Sequence, residues 1–138
     1  METSKKTIYI IEDSELYAKS LQTFIQTRFP DAKEVKTFRI GELCILELDN
    51  EPDVVIIDYY LNSKYPEALN GLEIIKQIKS LKPKTNIIVL SAQEKLDIVL
   101  ESIKQYGCRY IKKDSEAFGK VELCIKEIFS SNKKPQHN

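Results

Sequence analysis

The chain has 138 residues, with 21 basic and 21 acidic side chains, one histidine, three cysteines and 42% apolar residues. That length supports one domain with one core, and is expected to leave almost nothing for a second folded module such as a DNA-binding domain. A formal net charge of zero argues against whole-surface affinity for nucleic acid or anionic membrane, both of which reward a basic excess.

The opening METSKK is too short, and its continuation too polar, for a signal peptide. Residues 7–11 (TIYII) read as a first strand. Ser14 is a possible N-cap for a helix marked by Tyr17, Leu21, Phe24 and Ile25 and closed before Pro30. Residues 34–38 (EVKTF) are more polar and suit an edge strand. Ile40, Leu43, Cys44 and Leu48 mark a second helix, and residues 54–57 (VVII) a further strand. Leu72, Ile75 and Ile78 mark a third helix ending near Pro83, followed by a strand at 87–90 (IIVL). Leu96, Val99, Leu100 and Ile103 mark a fourth helix, stopped by Gly107. Residues 109–111 (RYI) are a second edge candidate, and Phe118, Val121, Ile125 and Ile128 mark the last helix.

The runs at 7–11, 54–57 and 87–90 are apolar on both alternating faces, as strands of a parallel sheet covered on both sides must be. Five strands alternating with five helices predict an α/β fold: an open five-stranded parallel sheet with helices on both faces. Core packing accounts for all these apolar residues without a cofactor.

Cys44, Cys108 and Cys124 are odd in number and widely spaced, so neither a disulfide framework nor a zinc-finger spacing is present. Cys44 and Cys124 lie in apolar-periodic stretches and are expected to be buried, reduced thiols. His137, the sole histidine, lies in the polar tail, so a Ser-His-Asp triad or a His-rich metal site cannot be assembled within one chain. No apolar run approaches the ~20 residues of a membrane span. A cytoplasmic protein without membrane insertion is the expectation.

Ligands of an open α/β sheet bind outside the carboxyl ends of its strands. There the sequence places Glu12 and Asp13, then Asp58, then Ser91, then Lys112 and Lys113. Singly, each has an ordinary explanation: a helix-dipole acid, a loop aspartate, an N-cap serine, a solvated charge run. All of them at strand ends in this order is a much rarer coincidence. Three carboxylates at one edge repel one another unless neutralised. Mg²⁺ prefers such hard oxygen donors, and a lysine ammonium adds a second positive charge.

The ordered fragments IEDS, VIIDYYL, GLE beginning at Gly71, LSA and YIKKD resemble a response-regulator receiver domain of two-component signalling. The resemblance runs over residues 6–130, with 131–138 as a polar tail. It implies a flavodoxin-like (βα)5 receiver fold and a single-domain, stand-alone response regulator. Such a protein is a signalling phosphoacceptor rather than an enzyme with a separate substrate, although it assists its own phosphorylation and dephosphorylation. Asp58 would accept a phosphoryl group from a phosphohistidine. The donor would be a partner protein, either a sensor histidine kinase or a histidine phosphotransfer protein. Glu12, Asp13 and Asp58 would hold Mg²⁺ together with the backbone carbonyl of Tyr60. Ser91 and Lys113 would pair with phosphoryl oxygens, Lys112 remaining the alternative lysine. Ser91 and Tyr110 would form the switch, and Tyr60 and Gln93 would set how long the acyl phosphate lasts. Output would pass to a downstream effector protein through the face of the fourth helix, fifth strand and fifth helix, near Lys104, Arg109 and Glu122, with no direct nucleic-acid contact.

Three features depart from the family pattern. Asp58 to Gly71 takes thirteen residues rather than about eight, so an insertion falls within residues 62–70 beside the site. The family's usual proline after the lysine is Asp114. The stretch from Gly107 to Tyr110 is one residue short. Tyr60 is bulky and Gln93 uncharged, and together they suggest slow self-dephosphorylation.

Other functions fit less well. A flavodoxin-like electron carrier needs a phosphate cradle where Glu12, Asp13 and Glu15 would repel phosphate. A haloacid-dehalogenase-type phosphatase or a Toprim fold needs an acid at position 60, which is tyrosine. The alternative is a pseudo-receiver, the same fold acting as a phosphorylation-independent protein-binding module.

Overall fold

The computed structural model describes residues 6–60, 70–92, 101 and 103–132. The described elements are β1 (Thr7–Ile11), α1 (Glu15–Arg28), β2 (Glu34–Phe38), α2 (Gly41–Ile45), a 3-10 turn (Leu48–Asn50), β3 (Val54–Asp58), α3 (Gly71–Leu81), β4 (Asn86–Ser91), β5 (Arg109–Lys112) and α4 (Ala117–Asn132). All five strands pair in parallel in the order β2-β1-β3-β4-β5. The two polar runs of the sequence are the two edges, as expected. A parallel strand buried on both faces is a near-continuous apolar run, and all five residues of β1 and of β3 are buried, with polar residues only at the ends, Thr7 and Asp58.

Alternation along the strands splits their side chains between two apolar layers. Ile8, Ile10, Val54, Ile56, Ile88 and Leu90 pack with α1 and α4 through Leu21, Ile25, Val121, Ile125 and Phe129. Tyr9, Ile11, Val55, Ile57, Ile87 and Val89 pack with α2 and α3 through Cys44, Ile74, Ile75 and Ile78. Each fully buried aliphatic side chain contributes about 1.5–3 kcal/mol, so these layers are the main favourable term holding the sheet.

Local chemistry sets where the helices begin. Ser14 Oγ accepts the amide of Tyr17 at 3.3 Å and starts α1 there. Asn70 and Glu73 form a reciprocal capping box at the start of α3, with bonds of 2.9 and 3.0 Å. Gly107 takes a left-handed φ of 69°. Its neighbour Cys108 donates to the Ile103 carbonyl at 3.3 Å, the six-to-one bond that closes a helix end. Ile103 is buried, whereas Leu96, Val99 and Leu100, which mark the rest of that helical pattern, lie outside the described residues.

The second helix departs from its expected form. It covers only Gly41–Ile45, Leu43 is exposed, and Leu48 belongs to the 3-10 turn. A polar tether accounts for the short form. The Tyr9 hydroxyl donates to the Glu47 carbonyl at 3.2 Å and accepts from Asn50 at 3.1 Å, while Lys36 grips the Glu47 carboxylate at 2.7 and 2.8 Å. These bonds satisfy a buried hydroxyl and hold the chain in a turn where helical periodicity alone would continue. At the other end of the chain, α4 runs through Asn132. Cys44 is buried and Cys124 only half-buried.

Candidate functional site

In the order β2-β1-β3-β4-β5, successive strands are added on opposite sides of β1. The crevice beyond the carboxyl ends of β1 and β3 is therefore the topological switch point where an open α/β sheet binds ligands. Glu12 and Asp13 leave β1 directly into this crevice. Asp58 is the last residue of β3 and Ser91 the last of β4, each one step inside its strand rather than after it. Lys113 follows β5. Five side chains distant in sequence thus come from four adjacent strand ends.

Glu12, Asp13 and Asp58 are buried at 2%, 4% and 7% exposure, and each can offer a carboxylate oxygen within 4.8 Å of the others. Buried charges of one sign need a counter-charge. Lys113 supplies one: its Nζ lies 2.9 Å from Glu12 Oε1 and 3.3 Å from Asp58 Oδ2. Lys112, the alternative, has an exposed side chain at the end of β5. Backbone amides complete the frame, Ser14 N–H donating to Glu12 Oε2 at 3.0 Å and Tyr60 N–H to Asp58 Oδ1 at 3.2 Å.

The balance of charge remains negative. With all three carboxylates ionised, one ammonium leaves two negative charges over. Glu12 Oε1 is buried and receives no well-aligned hydrogen bond, despite its close approach to Lys113 Nζ. Burial, and then the charge of Asp58, push the Glu12 carboxyl up from its ordinary 4.5 to about 7. For Lys113, burial works against the charged form, but the adjacent Glu12 and Asp58 carboxylates outweigh it and hold the ammonium above its usual value. A cluster of oxygen donors short of two positive charges fits a hard divalent cation such as Mg²⁺.

Ser91 is fully buried, and its backbone carbonyl accepts two groups from the β5 side: Lys113 N–H at 2.8 Å and the Tyr110 hydroxyl at 3.4 Å. Tyr60 is 39% exposed and meets Tyr59 edge to face at 5.1 Å between ring centres. Gln93 and the insertion up to residue 69 lie outside the described residues.

The structural roles of three contributors were not read from the sequence. A Cβ on Gly71 would come within 2.4 Å of the Tyr59 carbonyl oxygen and 2.8 Å of its Cα, so only glycine lets α3 start against the strand end that carries Asp58. Asp114 stands where the family usually has proline. Its Oδ1 accepts Glu116 N–H at 2.9 Å, and its carbonyl accepts Ala117 N–H at 3.1 Å, which opens α4 through an Asx turn. No peptide bond among the described residues is cis. The third contributor is Tyr17, whose ring lies under the Lys113 ammonium at 4.3 Å from the ring centre. The D-S-E-A run could have signalled the Asp114 turn. The other two are contacts between distant segments.

The model of the response regulator receiver domain family matches residues 8–122. No curated protein sequence is similar enough to be matched to the chain. Among solved structures, the signal receiver domain of a DNA-binding response regulator from Colwellia psychrerythraea superposes with a TM-score of 0.76 at 24% identity, covering 91% of this chain and 99% of that one. The response regulator domain of Thermotoga maritima CheB gives 0.70 at 24% identity, over 95% and 98%. A LuxR-family two-component response regulator from Aurantimonas gives 0.76 at 18% identity, over 93% and 87%. At these identities the likeness is one of fold.

Proposed function

The chain belongs to the response regulator receiver domain family, and from that premise we propose that it is a phosphoacceptor whose nucleophile is Asp58. The observation that carries this reading is the pairing of Lys113 with both Glu12 and Asp58 inside a buried acidic cluster at the sheet's switch point. That arrangement keeps a cation beside the one carboxylate that ends a central strand.

In the proposed step an oxygen of Asp58 forms a bond to phosphorus as the P–N bond of a partner's phosphohistidine breaks. The imidazole nitrogen keeps the electron pair. A carboxylate is suited to this because it forms an acyl phosphate. Catalysis of such a transfer consists mainly of alignment and charge stabilisation. The Tyr60 amide orients Asp58 through Oδ1, and Lys113 moves from the carboxylate to a phosphoryl oxygen. The Ser91 hydroxyl pairs with another. Glu12, Asp13, Asp58 and the Tyr60 carbonyl would hold Mg²⁺, which supplies positive charge to the phosphoryl oxygens when bound. The Tyr60 side chain shields the acyl phosphate from water and slows its hydrolysis. The new charge at Asp58 is then the signal, read through Ser91 and Tyr110 at the β5 surface by an effector protein. Donors of the required chemistry are a histidine kinase or a histidine phosphotransfer protein.

The decisive experiment is incubation with acetyl phosphate and Mg²⁺, followed by intact-mass measurement. Wild type gains one phosphoryl mass and Asp58→Asn gains none. Absence of an Asp58-dependent gain would replace this reading with that of a phosphorylation-independent binding module.

A further inference from the structure

Tyr17 is the third residue of α1, and its position follows from the start of that helix: its own amide is the one that Ser14 caps. From there its ring reaches the site. The Lys113 Nζ stands 4.3 Å from the ring centre, within the range of a cation–π contact. Behind the ring, Phe118 of α4 meets it edge to face at 5.6 Å, and Phe24 lies 5.2 Å from Phe118. The hydroxyl is buried and finds no hydrogen-bond partner among the described residues. What Tyr17 presents to Lys113 is its ring face.

The lysine has a specific need for such a support. Its side chain is only 18% exposed, and its ammonium leans on two carboxylates. Both of those partners change in the proposed reaction. Asp58 becomes an acyl phosphate, and Glu12 belongs to the set that would hold the metal. A ring face attracts the ammonium without consuming a particular N–H or titrating, and Phe118 fixes it from the side of α4. Packing alone would be met by any apolar side chain in this position; an ammonium over the ring is an additional, electrostatic relationship.

We propose that Tyr17 is a positioning residue that holds the Lys113 ammonium through its ring face, keeping it aimed at the phosphoryl oxygens while the carboxylates change partners. This deepens the phosphoacceptor reading and rests on it.

The test uses beryllofluoride with Mg²⁺ as the phosphoryl mimic. Wild type must take it up and Asp58→Asn must not; failure at this step removes the phosphoacceptor reading itself. Position 17 is then varied as Tyr17→Phe and as two forms of that variant carrying two and three ring fluorines. Fluorines drain the negative potential of the ring face while nearly conserving its volume, so all three variants fold alike, as their thermal melts will report. Beryllofluoride affinity should weaken several-fold across the series, with no loss of Mg²⁺ affinity in the absence of beryllofluoride. A flat series would overturn the proposal. So would a loss of Mg²⁺ affinity in step with beryllofluoride affinity, because that marks general loosening of the site.

Discussion

Lys113 Nζ lies 2.9 Å from Glu12 Oε1, so the cation assigned to the phosphoryl group already occupies one of the carboxylates assigned to the metal. On the proposed assignment the two cations would compete for Glu12 in the resting protein. Lys113→Ala should therefore bind Mg²⁺ more tightly, on the order of tenfold if about one pKa unit's worth of repulsion is relieved. The same variant should lose most of its acetyl-phosphate uptake. Titration calorimetry and intact mass would check the two effects. Lys112→Ala should change neither, and the opposite pattern would transfer the role to Lys112.

The metal-free protein should become less stable as pH rises. Glu12 titrates near 7 in the folded chain, chiefly through burial, against an ordinary 4.5. Between those values the folded state holds a proton that the unfolded state has released, so stability falls as pH increases through the window. Thermal melts at about pH 5 and pH 8 should show a drop of several degrees, of the order expected when ~1–2 kcal/mol is lost from a domain this size. Mg²⁺ would bind the ionised form, so adding it should raise the melting temperature more at pH 8 than at pH 6.

Two glycines should respond in opposite directions to alanine. At Gly71 the new methyl meets the Tyr59 backbone at 2.4–2.8 Å, and backbone cannot step aside cheaply. Gly71→Ala should cost about 1–3 kcal/mol and weaken Mg²⁺ binding, because the obstructed segment carries Asp58. Gly119 lies inside α4 with nothing within 4 Å of the added carbon. Gly119→Ala should stabilise by about 0.5–1 kcal/mol. Urea denaturation resolves both.

Cys44 and Cys108 should be inert in the folded protein. Burial pushes Cys44 up to about 12 and Cys108 up to about 11, far from the thiolate form that reacts. Cys44 should resist a thiol-specific reagent at neutral pH until denaturant is added. Rapid native-state labelling of Cys44 would contradict the described packing.

Most of the sheet was readable because its central strands are buried on both faces, which leaves an unbroken apolar run in the sequence. Thr7–Ile11 and Glu34–Phe38 fall where the pattern puts them. The acids could be read for the same reason, since a carboxylate at the end of an apolar strand stands out. Leu43 could not, because its period fits a helix that the Tyr9–Glu47–Asn50 tether cuts short, and such a tether joins residues about 40 apart. Tyr17 reads as an ordinary apolar position in the sequence. Only the fold shows that Lys113, 96 positions later, rests on its ring.

The carbonyl of Ser91 ties the acidic crevice to Tyr110. It is one oxygen with two lone pairs, and both are spoken for, by the Lys113 amide and the Tyr110 hydroxyl. These two donors bracket the end of β5, one beside the acidic crevice and the other an aromatic side chain that is only partly buried. Rotating the peptide after Ser91 would release both at once, and restoring either would require the oxygen to return. In the proposed signalling reading the oxygen would act as a common latch: the crevice and the tyrosine are fastened at a single point, so a disturbance there would have no intermediate residues to cross.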